Sequence, residues 1–330
     1  MVPKAVEEFE VEKHDVCVDV GNVDADGQDS TDIFRLPKTL TLGPAIRNTT
    51  EQITSKRAFW RDFFADKENV KVVAPMVDQS ELAFRMFMRK HGAHITVTPM
   101  IHAHLFVNDT TYRRNSLALC EADRPLIVQD EVDLVCSMVS AVRDFCALPV
   151  SCKIRIRDCP QQSIELTVHG RTREMKGADT GLADWSRIRE VVEAVDVPVV
   201  ANGNIQMPGD VERCLAETKA AAVMSAEGLL YNPLLFVNKN EESWIVAKEY
   251  LEYARKYQAG TSAVRAHIFR ICHHSLLEFA DLRMRVSTEH RLEDYESIVE
   301  EIRVRTRAVA DNEDARQRIA SAKELFERIR

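Results

Sequence analysis

The side chains most able to do chemistry fall at the ends of short apolar runs. They are Pro75-Met76, Gln129, Lys153 with Arg155, His169-Gly170-Arg171, Asn202-Gly203-Asn204 and Ala226-Glu227-Gly228. Lys153 sits inside VSCKIRI (150–156). An otherwise buried strand does not take a lysine and an arginine without partners or solvent, because desolvation is costly. A lysine and a histidine from consecutive strands suit an anionic, aromatic cofactor: Lys153 can hold negative charge on a reduced ring, and Gln129 can hydrogen-bond its edge. The Asn-Gly-Asn and Ser-Ala-Glu-Gly turns can cradle phosphate through backbone N–H groups, since Gly203 and Gly228 permit close approach. Each group also has a plainer reading. Asn-Gly is a common turn, and a lone barrel histidine is more often a satisfied structural residue. The functional reading rests on the coincidence of polar residues at most of the run ends.

The elements that must position these residues alternate. Seven runs rich in Val and Ile, namely KVVAPM (71–76), HITVTPM (94–100), PLIVQ (125–129), VSCKIRI (150–156), IELTVHG (164–170), VPVVANG (197–203) and AAVMSAEG (221–228), read as buried parallel strands. Between them, SELAFRMFMRKHG (80–92), ADWSRIREVVEAV (183–195) and GDVERCLAET (209–218) carry helical apolar spacing, the first with Gly92 as a C-cap. This predicts an α/β fold, a TIM-type (β/α) barrel in preference to an open sheet, spanning residues 58–242. Residues 243–330 read as wholly helical, a separate domain or appendage. Residues 1–57 read as an acidic, disordered tail, with order beginning near Phe59-Trp60.

With 330 residues, 45% of them hydrophobic, the chain is neither a disulfide-stapled miniprotein nor a coiled coil. Its formal charge of −8 is local. The first 34 residues hold ten acidic and two basic side chains, and the remainder carries 42 of each sign. The charge therefore does not weigh against a nucleic-acid partner. Eight cysteines are scattered without a CxxC pair or zinc spacing, so neither a metal site nor a disulfide frame is expected. The start, MVPKAVEEFE, lacks the basic and apolar regions of a signal peptide, and no run approaches a membrane span. The expectation is a cytoplasmic or nuclear chain with no membrane association.

VVAPMVDQSELAFRMFMRKHGAHITVTPMIHAHLFV, DRPLIVQ, LPVSCKIRIR, LTVHGRTREMKG and VVANGNIQMPGDVERCL, with VMSAEGLLYNPLLF, resemble the tRNA-dihydrouridine synthases. Among these the resemblance is strongest to the eukaryotic D-loop-modifying, 16/17-type branch. It implies an FMN enzyme on a (β/α) barrel, reduced by NADPH, that adds hydride across the uridine C5–C6 bond. Pro75, Met76 and Val77 would then lie against the isoalloxazine, with Gln129, Lys153 and His169 at the ring edge. Asn202, Gly203, Asn204, Ala226 and Glu227 would cradle the phosphate. His169 and Arg171 would orient the flipped uracil, and Asn108 would lie in a loop facing it. The helical region would help a monomeric enzyme grip the tRNA elbow, with no DNA partner. On it Arg265, His267, Arg270, His273 and His274 form a candidate phosphate-facing stripe, equally readable as a solvated helix face.

The chain departs from that family in one place above all. After DRPLIVQ the family continues through a helix to a strand ending in an Asn-x-Gly-Cys-Pro loop, whose cysteine protonates C5. Here Gln129 is followed at once by DEVDLVCSMVSAV, which resembles a later helix. A second gap leaves almost no room for a helix between VSCKIRI and IELTVHG. Cys136 falls in helical sequence and Cys159 precedes Pro160 without the Asn or Gly, so neither inherits the role. The stretch 69–238 has 170 residues, against ~250 for an ordinary barrel. The expectation is a barrel short of about one strand–helix unit. Three readings follow: a truncated or alternatively spliced product of a synthase gene, a diverged protein that binds FMN or RNA without reducing uridine, or an unrelated flavin barrel oxidoreductase.

Overall fold

A computed structural model describes residues 50–127, 166–172, 175 and 181–310, together with Ile33 and Arg35. Six of the seven expected strands lie in it: β1 (Val70–Val73), β2 (Ile95–Val97), β3 (Leu126–Ile127), β4 (Leu166–His169), β5 (Val199–Asn202) and β6 (Ala222–Ser225). The seventh, VSCKIRI, lies outside the described residues, as do Gln129, Lys153, Cys136 and Cys159. The strands are parallel in the order β3-β2-β1-β6-β5-β4. The first described strand therefore pairs with the last, Val72 facing Met224. That pairing is how a barrel closes, and the result is a curled half-barrel of TIM type. Among the described residues its two edge strands are β3 and β4, which flank residues 128–165. A full barrel spends roughly 30 residues per strand–helix unit, so this interval has room for about one.

Alternation along the strands divides the apolar residues between two faces. Val70, Val72, Ala74, Ile95, Val97, Ile127, Val200, Ala222 and Met224 form the inner cluster. Val73, Val199, Ala201 and Val223 face the helices. Helix α1 (Thr50–Ala65) starts ahead of the expected Phe59-Trp60. Trp60, Phe63 and Phe64 share one of its sides at i, i+3 and i+4 spacing. Trp60 is 5% exposed and packs on the inner cluster with Phe63 and Phe64 beside it. Truncating so buried a tryptophan typically costs about 3–5 kcal/mol.

Helix α2 (Leu82–Lys90) follows β1, capped by Glu81, with Gly92 at φ +90° just beyond its end. After β2 come α3 (Ala103–Asn108) and α4 (Thr110–Ser116), which the apolar pattern had not signalled. Helices α5 (Trp185–Ala194), α6 (Asp210–Thr218) and the short α7 (Glu227–Tyr231) cover the later strands. The expected helical tail is α8 (Ser243–Lys256), α9 (Thr261–Ile271), α10 (His273–Glu278), α11 (Ala280–Thr288) and α12 (Leu292–Ala310). One hydrophobic cluster runs from Val73, Phe87 and Val223 through Tyr250 and Ile268 to Ile298, so the strand and helix regions share a core.

Candidate functional site

The C-terminal ends of β1, β6, β5 and β4 lie side by side, and sheet register aligns what they carry. His169 pairs with Asn202, Asn202 with Met224, and Val73 with Ser225. The turns that follow are tied to their neighbours. Ala74 N–H donates to Ser225 O at 2.9 Å and Gly170 N–H to Asn202 O at 3.0 Å. Pro75-Met76, Ala226-Glu227, Asn202-Gly203-Asn204 and His169-Arg171 thus occupy one continuous rim. Exposed large apolar side chains in segments that follow strands include Val77, Met100, Leu105, Leu182 and Met207.

Gly203 is a tight point of the rim. Its φ of +114° suits glycine, and a Cβ there would stand 2.7 Å from Ala183 Cβ and 3.2 Å from His169 Cε1. Asn204 is itself left-handed at φ +60°. Its Oδ1 accepts from Arg171 Nη2 at 2.7 Å, and its Nδ2 donates to Ala183 O at 3.2 Å. Arg171 also donates through Nε to Gly181 O at 3.0 Å, and its backbone N–H donates to His169 Nδ1 at 3.2 Å. Trp185 Nε1 donates to Gly203 O at 3.0 Å. At Gly228 a Cβ would lie 2.5 Å from Ile205 O, so this turn too must be bare backbone.

The loop after β1 is equally fixed. Buried Ser80 accepts from Met76 N–H at 3.0 Å and donates to Met76 O at 3.2 Å. Glu81 accepts from Phe84 N–H at 3.1 Å, Tyr250 O–H at 3.0 Å and His267 Nε2–H at 3.0 Å. Burial alone would raise the Glu81 carboxyl, but His267 and these donors hold it below the usual carboxylate range. Ser80, Glu81, Tyr250 and Trp185 were not picked out by sequence reasoning. Only the serine and glutamate, standing as Ser80-Glu81 before an apolar run, carried a helix-start signal.

Three expectations change. His267 does not face solvent with the rest of its stripe: it is fully buried and stacks on Phe84 with ring centroids 4.3 Å apart. An i,i+3 pattern of basic residues does not distinguish a charged face from a histidine turned into an aromatic core. Arg265 is occupied by Tyr295 Oη and Glu289 O, and Arg270 by Tyr231 Oη at 2.6 Å. Asn108 is exposed but ends helix α3 instead of lying in a loop. Among the described residues the cysteines, Cys120, Cys214 and Cys272, are all buried away from the rim. Burial pushes the Cys214 and Cys272 thiols up to about 12.

A sequence model of the dihydrouridine synthase (Dus) family matches residues 72–129 and 130–324. The two blocks meet at Gln129-Asp130, the bond at which the family pattern breaks off. The chain is 37% identical over 292 residues to the tRNA-dihydrouridine(16/17) synthase-like protein of Mus musculus, covering 71% of this chain and 62% of that one. It therefore spans less than two thirds of that relative's length. Identity to the tRNA-dihydrouridine(16/17) synthase of Saccharomyces cerevisiae is 31% over 331 residues, covering 78% of each chain. An alignment that long, taking in 78% of a 330-residue chain, has to place gaps in it. The relatives hold segments that this chain lacks. Identity to the tRNA-dihydrouridine(20a/20b) synthase of the same yeast is lower, 28% over 249 residues and 57% of this chain. With the family model matching most of its length, this chain belongs to the dihydrouridine synthase family.

Proposed function

We propose that the rim is the FMN-binding half of a tRNA-dihydrouridine synthase site, serving NADPH-driven reduction of the uridine C5–C6 bond in the tRNA D-loop. The observation that carries this reading is the register that brings His169, Asn202-Gly203-Asn204, Ala226-Glu227 and Pro75-Met76 to adjacent strand ends. The residues fit the cofactor. Gly203 and Gly228 keep their turns as bare backbone packed on Ala183 and Ile205, and backbone N–H groups of such turns are the donors a phosphate would take. Pro75, Met76 and Val77 offer an apolar bed for a planar ring, and Gln129 and Lys153 complete the ring edge in the same reading.

Bound FMN supplies hydride transfer from NADPH to the uracil ring. The protein's part is to bind and orient. His169 and Arg171 would orient the uracil, and Asn204 holds the Arg171 guanidinium through its 2.7 Å bond. The helical region grips the tRNA so that a flipped uridine reaches the rim, its unstacking offset by contacts in the pocket.

A second reading has its own support: the chain binds FMN and tRNA without completing the reduction. Protonation at C5 needs an acid at the rim, and the described cysteines are buried elsewhere. The family match also divides where the Gly-Cys-Pro loop belongs. One experiment addresses both. Purified chain is assayed for bound flavin by its visible absorbance, then incubated with NADPH and tRNA lacking dihydrouridine, and the nucleosides are counted by mass spectrometry. Colourless protein that takes up no FMN refutes both readings. Yellow protein that forms dihydrouridine supports the first, and yellow protein that binds tRNA without product supports the second.

A further inference from the structure

Helix α9 touches both cofactor-facing turns from one face. One turn along it, His267 reaches the loop after β1 and Arg270 reaches the turn after β6, the two strands whose pairing closes the sheet. His267 Nε2 donates to Glu81 at 3.0 Å, and Glu81 caps α2 directly behind Met76 and Ser80. Tyr250 Oη donates to the other Glu81 oxygen at 3.0 Å. Arg270 Nη1 donates to Tyr231 Oη at 2.6 Å and stands 3.5 Å from Glu227 Oε1, and Arg270 Cζ lies 5.2 Å from the centroid of the Tyr231 ring. Glu227 is a carboxylate on a turn read as a phosphate cradle, and Arg270 supplies the charge that offsets it.

We infer that α9 is a clamp: His267 and Arg270 are positioning residues that hold the Met76–Glu81 loop and the Ala226–Gly228 turn at their spacing for the cofactor. This rests on the FMN reading above for its purpose, though not for its geometry. A buried histidine whose Nδ1 has no hydrogen-bond partner among the described residues is costly to keep. Packing alone would be served as well by a phenylalanine stacked on Phe84, so the bond to Glu81 is what the imidazole adds. The clamp also assigns the helical region a second task besides RNA contact. It sets the cofactor mouth from outside the barrel.

The test uses the full chain without ligand, read by amide hydrogen exchange, in wild type, His267→Phe, His267→Gln and Arg270→Ala. His267→Phe is expected to speed exchange in residues 76–81 by about tenfold. His267→Gln, which keeps an N–H donor for Glu81, restores slow exchange there. Arg270→Ala is expected to speed exchange in residues 226–231 by about tenfold and to leave 76–81 alone. Strand β5 stays protected throughout. Unchanged exchange in both segments overturns the clamp, and so does equal loosening of β5, which marks general destabilisation. FMN titration then follows, with an expected rise in Kd of roughly five- to tenfold for His267→Phe and Arg270→Ala. Wild type that binds no FMN sinks the cofactor reading while the exchange data still decide the clamp. Wild type and variants that bind FMN equally overturn the clamp and leave the cofactor reading standing.

Discussion

Arg85 Nε lies 2.8 Å from Asp123 Oδ2, with the two side chains 1% and 0% exposed. Arg89 takes the other oxygen at 2.9 Å, and Thr96 Oγ1 donates to that same oxygen at 2.7 Å. The knot joins α2, β2 and the segment entering β3, an edge strand among the described residues. Asp123→Asn leaves two guanidiniums short of a countercharge in a dry site. It is expected to cost about 3–5 kcal/mol in urea unfolding. Burial alone would raise the Asp123 carboxyl, but Arg85 and Arg89 hold it below its ordinary value. A depressed carboxylate stabilises the fold above its unfolded pKa of about 3.9 and loses that contribution as pH falls through the folded value. Wild type should therefore lose stability below about pH 4, and the Asn variant should lose less over the same range. Parallel curves would show that the knot is not the group titrating.

Gly203 and Gly209 offer a matched pair. Both have positive φ, +114° and +89°, but a Cβ on Gly203 meets Ala183 at 2.7 Å, whereas one on Gly209 meets nothing within 4 Å. Gly209→Ala is expected to cost about 1 kcal/mol, the backbone penalty alone. Gly203→Ala adds a clash with Ala183 and His169 and should cost about 2–4 kcal/mol. Thermal melts of the two variants measure the gap. Equal melting temperatures would mean that Ala183 gives way and that the turn is less constrained than its geometry implies.

What the sequence revealed, and what it hid, follows from the range of the forces involved. Strand alternation and small-residue turns are local, so Val70–Val73, Val199–Asn202 and the Asn202-Gly203-Asn204 turn were readable in advance. The pairing of β1 with β6 followed from the barrel expectation. The Arg85–Asp123 knot was not readable: two arginines at i and i+4 in SELAFRMFMRK look like an exposed face until the acid 34 residues beyond Arg89 is known to be buried with them. Residues 243–330 read as wholly helical, but the breaks at Cys272 and Phe279 were not readable, since neither Gly nor Pro marks them. His267 misled for the same reason, since its partner Glu81 lies 186 residues away. Local pattern located the rim, while the contacts that hold it are long-range and polar.

The cysteines predict a chemical silence. Thiolate is the reactive form, and burial raises the thiol pKa of Cys120 as well as those of Cys214 and Cys272, the latter two to about 12. Native chain treated with iodoacetamide at pH 8 should remain unmodified at these three positions, with alkylation appearing only after denaturation, as read by peptide mass spectrometry. Rapid native labelling of Cys214 would mean that helix α6 opens locally. It would also reopen the question of which thiol can reach the rim.

Arg171 and Asn204 carry the last prediction, because they join the loops after β4 and β5 across the rim. The 2.7 Å bond between them is charge-assisted and partly buried, a class worth about 1.5–3 kcal/mol at most and less where solvent reaches it. Arg171→Ala also frees Gly181 O and removes the fork that keeps the loop closed. Arg171→Lys keeps the charge but cannot serve Asn204 and Gly181 together. In a double-mutant cycle on unfolding free energy, Arg171→Ala and Asn204→Ala should couple by about 0.5–1.5 kcal/mol. Arg171→Lys should recover less than half of the loss. Additive effects would show that the two loops are held independently, and the role of Asn204 in aiming Arg171 at the uracil would fall with the bond.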